Sequence, residues 1–268
     1  MDRGATTPVR AARPHREDDG AAAEIATALA AGELRPWYQP IVDLAADRIV
    51  GAEALVRWHR SGGAVETPVS FLSIAEQSDL VLDIDRVILV QALADLAGWQ
   101  QFRPGFRVSV NLSGRQLDRP ELPAEVTAAV TAAGLVPDTI DLEITETARP
   151  ENPATNREVI ARLRDLGYTV WYDDFGTGWS SLPELITMPI DGIKLDRGFA
   201  NHLGTPICDA VIGALATAGD HVGFKVTIEG IERREQAERA KALGCHYGQG
   251  YWWSRPRPAA DIPALISG

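Results

Sequence analysis

Short apolar runs of β character alternate along the chain with longer stretches whose apolar residues recur at helical spacing. The β-like runs are residues 37–44, 49–58, 106–113, 139–146, 168–174, 191–196, 223–230 and 246–253. Between them lie amphipathic stretches such as 153–167, where Val159, Ile160, Leu163 and Leu166 are placed for one helix face and Gly167 for its stop. Residues 233–244 read the same way, and an Ala-rich segment from Ala21 to Ala31 predicts a short helix. Strands alternating with helices over this length predict a single α/β domain, a (β/α)8 TIM-like barrel over residues 21–268. The first two runs are separated only by Ala45 to Arg48 and their neighbours. That is hairpin spacing, too short for a parallel crossover, so one strand is expected to run antiparallel. A doubly wound open sheet is the competing architecture.

Polar residues recur near the ends of these apolar runs. Glu53, Asn111, Glu143, Asp173, Asp174, Lys194, Asp196 and Glu229 each sit there. Taken singly, a carboxylate in such a place is a salt-bridge partner, because an unpaired buried charge is costly. Repeated at equivalent strand ends, these groups would converge on the C-terminal rim of a barrel, where active sites form. All but the lysine are hard oxygen ligands of the kind Mg²⁺ and Mn²⁺ prefer. None of the five histidines has zinc-site spacing, and Cys208 and Cys245 are far apart in sequence. Asp173 and Asp174 are adjacent and would normally face opposite sides of a strand. A turn of the chain at the strand end could let one bridge two ions while the other binds one.

The 26 basic and 37 acidic residues give a formal charge of −11, which argues against a DNA-binding role. A small anionic substrate stays compatible if metal ions supply the positive charge. Two cysteines are too few for a disulfide framework and predict free, buried thiols. No apolar run reaches membrane-spanning length, and residues 1–20 read as a disordered polar tail without a secretory pattern, so a cytoplasmic location is expected.

Seven motifs occur in order between about Trp37 and Pro256: Glu53-Ala54-Leu55 within EALVRW, then NLS (111–113), EITE (143–146), DDFGTGWSSL (173–182), KLD (194–196), EGIE (229–232) and QGY (249–251). Their order and spacing resemble the EAL domains that hydrolyse the second messenger cyclic di-GMP. EAL alone recurs by chance; the ordered set carries the resemblance. It implies that Glu53, Asn111, Glu143 and Asp173 hold one Mg²⁺ or Mn²⁺, and that Asp173 bridges to a second ion held also by Asp174 and Glu229. It further implies that Lys194 positions the attacking water with Asp196 beside it, and that Gln249 lies near the reacting phosphate. Gln39, Leu55 and Arg57 would contact the dinucleotide, Arg57 at a phosphate. Glu146 and Glu232 would support the site from behind, Glu146 by fixing the loop that begins at Asp174. A homodimer is implied too, with the loop of residues 173–182 coupling the metal site to the dimer interface.

Other residues read more plainly. Gly176 and Gly178 suit a tight turn and Ser180 a helix cap near Leu182, and this loop lacks the Gly-Lys-Ser/Thr ending of a triphosphate-binding P-loop. Trp171, Trp179, Trp252 and Trp253 could stack on guanine, although packing is the simpler expectation; His59 and His246 read as packed or surface residues. Departures from the family's pattern are Trp179 for Tyr, Ser78-Asp79-Leu80 for Thr-Gly-Leu, and Ile228 for Ala. Ile228 would add bulk beside Glu229 and so bears on turnover. Since every metal ligand is retained, hydrolysis is the leading expectation. A receptor domain that binds cyclic di-GMP and signals through a protein partner is the alternative.

Overall fold

The computed structural model describes residues 16–145, 153–177 and 187–267. Helix α1 (Arg16–Ala30) opens it, starting five residues before the expected Ala21 and inside the segment read as a tail. Strands β1 (Leu34–Asp43) and β2 (Arg48–His59) then form the expected antiparallel hairpin, running from Leu34 opposite Trp58 to Asp43 opposite Arg48 with a one-residue shift of register between Ile41 and Val42. Asp43 Oδ1 shapes the turn by accepting from the N–H groups of Ala45 and Ala46, both at 2.9 Å, and Asp47 completes it at φ +50°.

After the two-residue β3 (Val65–Glu66), the strands are β4 (Arg107–Leu112), β5 (Ile140–Thr145), β6 (Thr169–Phe175), β7 (Gly192–Leu195), β8 (Lys225–Ile228) and β9 (Tyr247–Gln249). β2 pairs parallel with β4, and parallel pairing continues from β4 through β9; β9 then pairs antiparallel with β1. With β1–β2 joined, eight staves close a barrel in which β1 alone opposes its neighbours. The doubly wound alternative is thereby removed, since an open sheet has two unpaired edges. β3 and β10 (Arg257–Pro258) extend the margins of β2 and β1.

Helices wrap the outside. After the single turn α2 (Leu72–Ala75) comes α3 (Leu80–Gln100), which buries Val81, Ile84, Ile88, Leu89, Ala92, Leu93, Leu96 and Trp99, an apolar stripe at helical spacing. Tyr38 of β1 meets Trp99 edge-on at 4.7 Å, and Trp99 meets Phe106 at 5.8 Å. These aromatic contacts seal β1 against α3. The turn α4 (Gly114–Leu117) and helix α5 (Leu122–Ala132) follow, then α6 (Pro153–Asp165), which buries Val159, Ile160 and Leu163 as its spacing predicts. Leu166, expected on the same face, lies past the helix end and is exposed, because the chain is already turning at Gly167 (φ +96°). The outer layer is completed by α7 (Arg197–His202), α8 (Pro206–Val222), α9 (Arg234–Ala242) and α10 (Ile262–Ile266). Among the described residues no helix is long and apolar enough to cross a membrane, and Cys208 and Cys245 are free thiols, the first half-buried and the second buried.

Candidate metal and phosphoester site

Alternation along the strands decides which side chains enter the barrel. On β2, Glu53, Leu55 and Arg57 share one face by their spacing of two. Gln39 of β1 stands opposite Glu53, and Asn111 of β4 is in register with Glu143 of β5. Pairing neighbours therefore bring groups 14 to over 100 residues apart into one layer.

Lys194 on β7 is the hub of that layer. Its side chain is 2% exposed, and its Nζ reaches Glu229 at 2.8 Å, Glu143 at 2.9 Å, Asp173 at 3.1 Å and Glu53 at 3.2 Å. Burial alone would lower the ammonium's pKa, but the four carboxylates hold it well above its ordinary value. The acids respond unequally. Burial would push Glu53 up, yet Lys194 together with hydrogen bonds from Gln249 (2.7 Å) and Asn111 (3.1 Å) holds it below the ordinary range. Burial and the Glu53 charge push Glu143 well above that range despite Lys194. Asp173 is raised by burial against the pull of Lys194. Burial, opposed by Lys194 and helped by the charges of Asp173 and Glu53, pushes Glu229 up to about 8. One cation thus serves more negative charge than it can neutralise.

The adjacent aspartates are reconciled by the backbone. Asp174 adopts φ +56°, and the β6–β7 register slips between Tyr172 and Phe175. This left-handed residue turns the strand so that Asp173 and Asp174 both face the site, with Asp174 N–H donating to Asp173 Oδ1 at 2.9 Å. Such a conformation is uncommon for a side chain other than Gly and costs on the order of 1 kcal/mol. Burial and the charge of Asp173 push Asp174 up to about 6.

Two groups of carboxylates result. In each, oxygen atoms lie within 4.8 Å of one another: Glu53, Glu143 and Asp173 form one, Asp173, Asp174 and Glu229 the other. Asp173 belongs to both. All donors are hard oxygens and the acid excess is uncompensated, so the residues fit divalent cations of the Mg²⁺ or Mn²⁺ type.

A cleft of about 440 Å³ opens above these groups. Gln39, Leu55, Asn111, Asp196, Glu232 and Gln249 all line it. Gln249 links Glu53 to Gln39 by donating to both, and Gln39 donates to the Ser254 carbonyl at 3.3 Å. Asp196 accepts from Gly198 N–H at 2.7 Å and caps α7, so its carboxylate is partly committed to that helix. Arg57 is buried and donates to the Val56 carbonyl at 2.8 Å, and burial lowers its pKa against the pull of Glu53. Glu146, Gly178, Trp179, Ser180 and Leu182 lie outside the described residues.

Some expectations change. Ile228 packs into the hydrophobic core, outward on β8, while Thr227 and Glu229 face the barrel interior; its bulk does not enter the site. Trp171 is buried in the barrel against Tyr247 and above Gly192, where a Cβ would come within 2.3 Å of its ring. It packs and does not line the cleft; Trp252 is largely exposed and Trp253 rests on the core. His59 accepts from Trp37 Nε1 at 3.1 Å and His246 bridges Asp220 and the Val226 N–H, both packing roles.

One residue escaped the sequence reading. Asp85 on α3 lines the apolar side of the cleft with Leu55, Ile84 and Ile88, and its buried Oδ2 has no hydrogen-bond partner. Burial, only partly offset by Ser113, pushes this carboxyl up to about 7. On an amphipathic helix it reads as an ordinary surface acid, so spacing gave no signal.

With this geometry in place, comparison with known proteins is decisive about family. The family model for the EAL domain matches residues 22–256, and the chain belongs to that family. It is 35% identical over 247 residues to the cyclic di-GMP phosphodiesterase RocR of Pseudomonas aeruginosa, covering 92% of this chain and 63% of that protein. It is 34% identical over 225 residues to the probable cyclic di-GMP phosphodiesterase PdeB of Escherichia coli, covering 84% of this chain and 43% of that protein. The solved PaMucR phosphodiesterase in complex with cyclic di-GMP superposes with a TM-score of 0.83 at 31% identity, covering 91% of this chain and 99% of that one. The chain spans about a third of the length of several curated relatives (29%, 35% and 31%).

Proposed function

We propose that this domain is a metal-dependent phosphodiesterase that hydrolyses one of the two phosphodiester bonds of cyclic di-GMP and releases linear pGpG. The observation that carries this reading is the pair of carboxylate groups sharing Asp173 at the floor of a dinucleotide-sized cleft. Family membership and the named relatives support the substrate.

Glu53, Asn111, Glu143 and Asp173 would hold one ion, and Asp173, Asp174 and Glu229 the other. Bound there, the ions would supply an activated water and charge neutralisation for the leaving oxygen. The protein's own groups fix the geometry. Lys194 ties Glu53, Glu143, Asp173 and Glu229 into one layer and offers its ammonium to the attacking water, with Asp196 nearby. Gln249, held by Glu53 and Gln39, donates beside the reacting phosphate. Leu55 and Gln39 pack the dinucleotide, Arg57 offers a charge-assisted contact to phosphate, and Glu232 supports the rim. Asp85 provides an acceptor for the donor edge of a guanine on the apolar side of the cleft. A two-fold homodimer in the cytoplasm completes the reading; sedimentation showing only monomer at micromolar concentration, with full activity, would count against the dimer.

The test is incubation of the purified domain with cyclic di-GMP and Mg²⁺ or Mn²⁺. A linear product lost on chelation supports the enzyme. Binding without product supports a receptor domain.

A further inference from the structure

The cleft is acidic in a way that poses a problem for an anionic ligand. Eight Asp and Glu side chains line it, and Arg197 is the one basic residue among its described lining. Lys194 lies beneath, its ammonium already shared by four carboxylates. Arg57 is buried and donates to the Val56 carbonyl.

Arg197 differs from both. It is exposed, and among the described residues it makes no hydrogen bond or ion pair. Its backbone is nonetheless fixed. It is the first residue of α7, locked by the Asp196 cap onto Gly198 N–H at 2.7 Å. Gly230, at φ +71°, lets the chain after Glu229 press directly on it: a Cβ at Gly230 would lie 2.3 Å from the Cβ of Arg197. The stem of the side chain is thus anchored beside Glu229 at the cleft, and among the described residues its guanidinium has no partner.

We propose that Arg197 binds a phosphodiester oxygen of the substrate at the rim of the cleft, adding positive charge to a lining that carries eight acids. A guanidinium suits this role because its planar fork matches two phosphate oxygens. The proposal rests on the cyclic dinucleotide reading above.

The experiment measures cyclic di-GMP binding by calorimetry with Ca²⁺ replacing Mn²⁺, and KM and kcat with Mn²⁺, for wild type, Arg197→Ala and Arg197→Lys. Loss of a charge-assisted contact predicts that Arg197→Ala raises both Kd and KM by about tenfold or more, with kcat changed much less. Arg197→Lys should fall between, since it keeps the charge and loses the fork. Added salt should weaken wild-type binding more than that of Arg197→Ala. A Kd and KM for Arg197→Ala within about twofold of wild type, or a loss confined to kcat, overturns the proposal. Wild type that neither binds nor cleaves cyclic di-GMP refutes the substrate reading, and this inference with it. Wild-type binding that is indifferent to Arg197 refutes this inference alone.

Discussion

Replacing Lys194 by Met isolates the electrostatics at the centre of the barrel. Methionine keeps the length and the apolar stem but removes the cation within 2.8 to 3.2 Å of four carboxylates. Removing one partner of a buried ion pair costs about 3–5 kcal/mol, because the remaining charge is left uncompensated. Here some of that cost is relieved by proton uptake, since Glu143 and Glu229 already titrate above the ordinary range. The lower end is therefore the better expectation, about 3 kcal/mol at neutral pH. For a domain of this size that lowers Tm by roughly 6–12 °C. The assay is a thermal melt of wild type and Lys194→Met in chelator, repeated in millimolar Mn²⁺. Ions binding the folded carboxylates stabilise by RT ln(1 + [L]/Kd), about 2.7 kcal/mol at a hundredfold excess over Kd. They replace the missing positive charge, so the gap between the two proteins should narrow in Mn²⁺. A variant melting within about 2 °C of wild type in chelator, or a gap that widens with Mn²⁺, would refute this account of Lys194 as the charge balance of the empty-handed acids.

Three further outcomes follow from the same geometry. Acids whose folded pKa is raised keep a proton that the unfolded chain has released, so their contribution to stability is lost as pH rises; melts of the chelated protein should fall from the ordinary carboxylate range through about 8, the value of Glu229, with Asp174 contributing up to about 6. Glu53, held below its ordinary value, acts in the opposite sense at lower pH, and a flat profile between pH 5 and 8 would contradict the raised values. Calorimetric titration with Mn²⁺ should give two ions per chain in wild type, with Asp173→Asn weakening both and Glu229→Gln one, because only Asp173 belongs to both carboxylate groups; a single ion in wild type would remove the shared-ligand reading. Gly192→Ala would drive a Cβ to within 2.3 Å of the Trp171 ring, and overpacking of this kind costs about 1–3 kcal/mol, read as a lower Tm; an unchanged melt would show that Trp171 has another place to go.

The barrel was legible because its period is simple. Residues 106–113 alternate apolar Phe106, Val108, Val110 and Leu112 with polar Arg107, Ser109, Asn111 and Ser113, which is the period of a strand, and the short link between the first two runs could only be a hairpin. The convergence of Glu53, Glu143, Asp173, Asp174 and Glu229 was legible from strand-end polarity and from the ordered motifs. Three features were not. The left-handed backbone of Asp174 accompanies a slip in the pairing of β6 with β7, a conformation that Asp tolerates but does not specify. The hub role of Lys194 depends on four strands meeting at one height, a property of closure and register. Ile228 looked like a neighbour of the site because it precedes Glu229, yet alternation on β8 sends it outward into the core.

The central claim is hydrolysis of cyclic di-GMP at the paired carboxylate groups, and product analysis tests it most directly. Wild type, Glu53→Ala and wild type in chelator should be incubated with cyclic di-GMP and Mn²⁺ and the nucleotides separated by chromatography. Linear pGpG should accumulate with wild type, vanish with chelator and fall by several orders of magnitude in Glu53→Ala, which removes one member of the first carboxylate group. Intact cyclic di-GMP after prolonged incubation of metal-loaded wild type, or equal product from wild type and Glu53→Ala, would contradict it.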